Sequence, residues 1–166
     1  MKNATVLIGL PASGKSTFTS KIKDSDVFVY STDSILERVA NQLGKNYDDV
    51  FEKHIKFAKV EMDILLAEAI NSGKDVVFDQ TNLGVKKRRG IIQRMKKAGY
   101  NIEAIAFRAP DCEDDIVEWN RRLHSRKGKT IPENIIHNMV KSYVEPSLDE
   151  GFDRVTIMDI YNKVVQ

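Results

Sequence analysis

Short, unbroken apolar runs recur along the chain, and amphipathic stretches separate them. Ala4-Thr5-Val6-Leu7-Ile8 stops at Gly9, Val27 to Tyr30 stops at Ser31-Thr32-Asp33, and Val76-Val77-Phe78 stops at Asp79; Ile102 to Phe107 and Arg154 to Ile160 are the fourth and fifth. Runs this short, apolar at successive positions, predict strands buried on both faces of a parallel sheet. The intervening segments predict helices. One spans about Lys15 to Lys23, and another starts at Ser31-Thr32-Asp33, three successive cap residues ahead of Ile35 and Leu36. Between Tyr47 and Asn71, Phe51, Ile55, Ala58, Met62, Leu65 and Ala69 repeat at helical spacing and form one apolar face, ended by Asn71-Ser72-Gly73. A basic helix follows from Lys86 to Ala98, stopped by Gly99. Pro110-Asp111 opens a helix that passes Trp119 to about Leu123, and Pro132 opens the last one, ending near Val144. Strands alternating with helices predict an α/β fold of three layers, with about five strands in a mostly parallel sheet and right-handed crossovers.

The 166 residues suit one compact domain of residues 1–166, without repeats or linkers. With 42% hydrophobic and 30% charged residues the chain has a globular composition, and no apolar run approaches the roughly 18 residues of a membrane span. The expectation is neither secretion nor membrane insertion. One cysteine, Cys112, forms no internal disulfide and has no Cys or His neighbour for zinc, which fits a reducing cytoplasm. His54, His124 and His137 lack metal-ligand spacing. The net charge of +2 is too small to imply nucleic-acid binding by itself. Its distribution is uneven: seven cations and no acid lie from Lys86 to Lys97, and Arg121, Arg122, Arg126, Lys127 and Lys129 form a second basic group.

The densest chemistry is Gly9-Leu10-Pro11-Ala12-Ser13-Gly14-Lys15-Ser16, followed by Thr17, which has the spacing G-x-x-x-x-G-K-S between a buried strand and a helix. Glycines let such a loop curl round phosphate, and the amide hydrogens of the loop and helix N-terminus supply positive potential. Lys15 reaches the β- and γ-phosphates, and the Ser16 hydroxyl can ligate magnesium. Asp79, at a strand's carboxyl end, is placed to hold magnesium through water, or else to form a turn before Gly84. Asp33 occupies a similar place and serves equally well as a general base or as a helix cap. The segment from about residue 121 to 131 combines a loop with guanidinium groups, as a lid over transferring phosphates would, although most charge runs are solvated faces. Lys86 to Lys97 is read mainly as such a face, with a phosphate-backbone track as the alternative. Trp119, Phe51 and Met62 are expected in the core.

Together, Gly9 to Thr17, Ser31-Thr32-Asp33, Asp79-Gln80-Thr81-Asn82-Leu83 with Arg88-Arg89, and Arg122 with Arg126 ahead of Pro132 resemble the kinase domain of bacteriophage-type polynucleotide 5′-hydroxyl kinases, small P-loop kinases related to adenylate kinase. The resemblance runs from the first strand to about Val144. It implies transfer of the ATP γ-phosphoryl to a 5′-hydroxyl of DNA or RNA, with ATP and magnesium bound and the 5′ end of a nucleic acid as partner, in the cytoplasm, that of a phage-infected host included. It implies Asp33 as general base, Lys15 and Arg126 on the transferring phosphoryl, Arg122 with the loop on the ATP phosphates, and Thr81, Asn82 and Arg88 beside the acceptor. One position departs: three residues after Asp33, where those kinases carry Arg, this chain has Leu36. A small-molecule kinase of the same fold, acting on a nucleoside, nucleotide or sugar, is therefore the alternative, and a regulatory nucleotide-binding module is a second.

Overall fold

The five apolar runs pair as one sheet in the computed structural model, which describes residues 2–22 and 26–166. Strands β1 (Lys2–Ile8), β2 (Val27–Tyr30), β3 (Asp75–Phe78), β4 (Tyr100–Phe107) and β5 (Arg154–Met158) lie in the order β2-β3-β1-β4-β5, and every neighbouring pair is parallel. Val6 stands opposite Phe78 on one side and Ala104 on the other. β1 thus runs two residues past the end of β3, and Gly9 then meets Thr81, whose carbonyl accepts its amide.

Among the described residues six α-helices connect the strands: α1 (Lys15–Thr19), α2 (Thr32–Leu43), α3 (Tyr47–Asn71), α4 (Val85–Lys97), α5 (Glu113–His124) and α6 (Glu133–Ser142). Several ends differ from expectation. α1 stops at Thr19, because the next amides, of Lys21 and Ile22, turn back to Phe18 and Thr19 in tighter bonds; its expected end at Lys23 lies outside the described residues. α5 starts at Glu113, not at Pro110-Asp111, with Glu113, Asp114 and Asp115 in the first turn, where the helix dipole favours carboxylates. α6 ends at Ser142, and Val144 gives its amide to the Leu83 carbonyl. β5 ends at Met158, not Ile160, and the chain folds back so that the amides of Val165 and Gln166 meet the Ile157 carbonyl.

The apolar face of α3 packs Ala58, Met62 and Leu66 against the sheet residues Ala4, Val6, Ile8, Val76 and Phe78, with Ile92 and Met95 of α4 in the same cluster. On the opposite face Leu7, Val77, Ile105 and Phe107 meet Phe18 of α1. Phe51 corrects the sequence expectation: it is 40% exposed. The first turns of α3 are buried along one side, with Val50 1% exposed and Tyr47 and Ile55 packed on the core, and Phe51 lies off that side. It stacks on Tyr47 with ring centroids 5.8 Å apart.

Where β1 and β3 end, backbone carbonyls run out of strand partners; Asn82 takes these up, and Arg88 takes up carbonyls of the turn that follows and of Val144. Asn82, at φ 46°, donates from Nδ2 to the Leu7 carbonyl at 2.8 Å and lies 3.4 Å from those of Phe78 and Gln80. The Arg88 Nη1 donates to the carbonyls of Asn82, Leu83 and Val144, and its Nε and Nη2 grip the Glu150 carboxylate at 2.8 and 2.7 Å. Both side chains are 0% exposed. This corrects the acceptor-binding role expected of them, since their donors are directed inward at the fold itself. Arg88→Ala would strand the Glu150 carboxylate and three carbonyls, and is expected to lower unfolding free energy by about 3–5 kcal/mol. Urea denaturation measures this; an Arg88→Ala protein of normal stability would return the residue to the acceptor.

Candidate active site

The phosphate loop is shaped by what its glycines exclude. A Cβ on Gly9 would lie 2.6 Å from the Ser13 hydroxyl and 3.0 Å from Phe107, and Gly14, at φ 113°, would put one 2.7 Å from the Asn162 side-chain oxygen. Trp119 donates its indole N–H to the Pro11 carbonyl at 2.7 Å, so the loop is clamped from α5, while Ala12 takes a positive φ of 62° at its bend. The Ser13 hydroxyl is buried with no hydrogen-bond partner among the described residues. Ser16 and Thr17 stand in the first turn of α1, whose amides have no intrahelical acceptor and face outward for an anion.

Lys15 is folded into this loop. Its ammonium donates to the carbonyls of Gly9 and Leu10 at 2.8 and 2.7 Å, and only 8% of the residue is exposed. Burial pulls its pKa down to about 8; the carboxylates of Asp79 and Asp33 oppose the shift and the Arg126 guanidinium adds to it. Asp79 is pushed above the ordinary carboxylate range by burial, against the pull of Lys15 and of the Thr19 hydroxyl, which donates to its Oδ2 at 3.2 Å. A serine hydroxyl and a carboxylate beside a phosphate cradle are oxygen donors of the kind magnesium takes, so Ser16 and Asp79 fit the ion.

Asp33 lies in the first turn of α2 without capping it: the cap residue Ser31 makes no side-chain cap bond, and the Asp33 Oδ1 accepts from the Tyr47 hydroxyl at 2.7 Å. Lys129 arrives from the opposite side. Its ammonium is 3.8 Å from Asp33 Oδ2, hydrogen-bonded to Glu37, and 4.5 Å from the centre of the Tyr47 ring. The lid loop is shorter than expected. Arg121 and Arg122 belong to the last turn of α5, and the loop begins after His124. Arg122 bonds Glu118 and the Ile160 carbonyl and lies over the Tyr161 ring, while Arg121 pairs with Glu118 at the surface. The loop is docked on α3 through two bonds: Asp48 N–H donates to the Gly128 carbonyl at 3.2 Å, and Thr130 N–H to the Asp48 carboxylate at 2.8 Å.

Beside this group a cleft of about 260 Å³ opens between α3 and α4, with Tyr30, Asp63, Gln80, Lys87 and Arg94 at its edges over Leu66. Gln80 links it to the site through a 3.5 Å contact with the Thr32 hydroxyl. Thr81 supplies its carbonyl to the Gly9 amide. The structure therefore gathers Lys15, Asp33, Asp79 and Arg126, keeps Asn82 and Arg88 out, and adds Tyr47, Glu37 and the Trp119 clamp. Nothing in the residue spacing marks Tyr47, which meets Asp33 only because α3 is set beside α2.

A phosphate anion at Lys15 stabilises its ammonium form and lifts its pKa above 8. Binding of magnesium ADP at pH 8 is thus expected to take up a fraction of a proton and to weaken as pH rises further. Calorimetry in buffers of different ionisation enthalpy measures the uptake, which should vanish in Lys15→Met.

Residues 5–146 match the AAA domain family designated AAA_33. The chain is 26% identical to the L-seryl-tRNA(Sec) kinase of Methanococcus maripaludis over 154 residues, covering 89% of this chain and 55% of that protein, so it spans about half the length of this relative. Among solved structures it resembles one from the PezAT chromosomal toxin-antitoxin system of Streptococcus pneumoniae, at a TM-score of 0.68 and 18% identity over 100% of this chain and 70% of that one. A chain in the Pnkp1/Rnl/Hen1 RNA repair complex superposes at a TM-score of 0.58 and 20% identity, covering 85% of this chain and 43% of that one. These structural likenesses support the parallel α/β fold. With its phosphate loop in place on that fold, and the family matched over most of its length, the chain belongs to the AAA_33 family of P-loop kinase domains.

Proposed function

We propose that the chain is an ATP-dependent kinase that transfers the γ-phosphoryl to the 5′-hydroxyl of DNA or RNA. The observation that carries the kinase chemistry is the convergence of Lys15, Asp79, Asp33 and Arg126 at the carboxyl edge of the sheet, with Asp33 free of any capping duty. The loop amides and Lys15 hold the ATP phosphates, and Arg126 faces the same space from the lid. Magnesium, held by Ser16 and through water by Asp79, supplies neutralisation of the phosphate charge. Asp33 accepts the proton of the acceptor hydroxyl as its oxygen bonds to the γ-phosphorus, and the bond to the ADP oxygen breaks in line.

The polynucleotide acceptor is supported by the cleft between α3 and α4. It is nucleoside-sized, joins the site through Gln80 and Thr32, and has Lys87 and Arg94 at its rim. The RNA-linked acceptor named for the seryl-tRNA kinase relative is consistent with it. A second reading, a small-molecule acceptor, is favoured by one specific observation: Leu36 is 0% exposed, and Arg38 is engaged with Glu61 at 2.7 Å, so α2 brings no uncommitted guanidinium.

Incubation with γ-labelled ATP, magnesium and a 5′-hydroxyl DNA oligonucleotide, a 5′-hydroxyl RNA oligonucleotide or a nucleoside mixture separates the two. Label is expected on an oligonucleotide and absent from its 5′-phosphorylated control, and the acceptor KM should climb steeply with salt as backbone contacts are screened. Label on the nucleosides alone would give the second reading the field. In either case Asp33→Asn is expected to lower kcat by about 10²–10⁴-fold, the usual worth of a general base, with ATP affinity within about twofold of wild type.

A further inference from the structure

We infer that Tyr47 is the positioning residue of the general base: its hydroxyl fixes Asp33 Oδ1 and its ring holds the lid lysine aside, so that Oδ2 stays open to the acceptor hydroxyl. The inference rests on the kinase reading and leaves the acceptor's identity open.

A half-exposed carboxylate in the first turn of a helix has several rotamers, and in this site it is surrounded by competing charges. Glu37 stands one turn along α2, Lys15 and Asp79 lie beneath on the phosphate side, and Arg126 and Lys129 come from the lid. Left alone, the Asp33 carboxylate would close into a direct pair with Lys129, and a carboxylate committed to an ammonium is a poorer proton acceptor. Tyr47 makes two contacts that oppose this, and Glu37 makes a third. The hydroxyl donates to Oδ1 at 2.7 Å and occupies that oxygen. The ring face carries the Lys129 ammonium at 4.5 Å from its centroid, a cation–π distance, while Glu37 takes the lysine's direct hydrogen bond. The ammonium is thereby kept 3.8 Å from Oδ2, beyond hydrogen-bond range.

The donor is also well chosen. Burial, the charge of Asp33 and the hydrogen bond to it all push the Tyr47 ionisation well above the ordinary tyrosine value, so the hydroxyl keeps its proton. Its direction of donation cannot reverse, because an ionised carboxylate only accepts. Tyr47 is the first residue of α3, immediately after Asn46, which joins Asp49 in a reciprocal capping box. That cap fixes the helix end, and with it the tyrosine's reach.

The test is Tyr47→Phe, which keeps the ring and removes the hydroxyl. With whichever acceptor the wild-type protein labels, kcat is expected to fall about 10- to 100-fold, the worth of a hydrogen bond to a charged group, with both KM values within about twofold and an unchanged melting temperature. In an Asp33→Asn background the same substitution should cost nothing further. An unchanged kcat, a loss carried by KM, or losses that multiply in the double variant would each overturn the inference. A second readout needs no acceptor. In protein labelled with 13C at the tyrosine Cζ, the signal lost in Tyr47→Phe should stay protonated at about pH 11, a unit above the ordinary tyrosine value, and titrate lower in Asp33→Asn. An identical titration in that variant would mean that Tyr47 does not hold Asp33. If the wild-type protein labels no acceptor, the kinase reading fails, and the tyrosine titration still decides the role of Tyr47.

Discussion

The carbonyl groups left over at the carboxyl edge of the sheet are the constraint on which the rest depends. A buried carbonyl without a partner is costly, and those of Leu7 in β1 and Phe78 in β3 face the same Asn82 side chain. Asn82 answers them from inside the fold, Arg88 answers those of the turn that follows, and Glu150 neutralises the guanidinium that results. Because this hub is fully buried and directional, it fixes the backbone from Asp79 to Leu83 against the start of the phosphate loop, which the Gly9 bond to Thr81 then joins. The Asp79 carboxylate and the phosphate loop share an edge here because the backbone on which they ride is held by the same side chains.

Charge is arranged above that edge in layers. Lys15 and Asp79 lie deepest, each disfavoured by burial and each supported by the other. Asp33 and Glu37 form the next layer, on one face of α2, and the lid brings Arg126 and Lys129 over them. With the loop docked through Asp48, cations and carboxylates alternate from the sheet outward, so no carboxylate near the proposed reaction stands without a cation beside it. A substrate phosphate entering this stack takes the place of a carboxylate as partner of the cations. The lid's attachment to the start of α3 ties its position to the helix that carries Tyr47.

Strand order, helix order and the phosphate loop were legible in the residues because each depends on local physics: apolar run length, periodicity, and glycine where a Cβ cannot fit. The α3 boundaries follow from the same periodicity and a capping glycine. Phe51 was misplaced because periodicity gives the spacing of a buried face but not its exact rotation, and Val50, one position earlier, took the buried place. Asn82 and Arg88 were misplaced for a different reason. Their motif marks a strand end, but whether a polar side chain there turns outward to a ligand or inward to orphaned carbonyls depends on φ 46° at Asn82 and on Glu150, 62 residues beyond Arg88. The pairing of Asp33 with Tyr47 is likewise tertiary, and the hydroxyl's partner is invisible until two helices are set side by side.

Trp119 was expected only to fill space, and it does so at 7% exposure. Its indole N–H is also bonded to Pro11, inside the phosphate loop, and it is the chain's one tryptophan. Any rearrangement of the loop alters the hydrogen bonding and polarity around a single chromophore. The protein therefore carries a built-in optical gauge of its own nucleotide site, with the emission of one indole reporting the state of the loop.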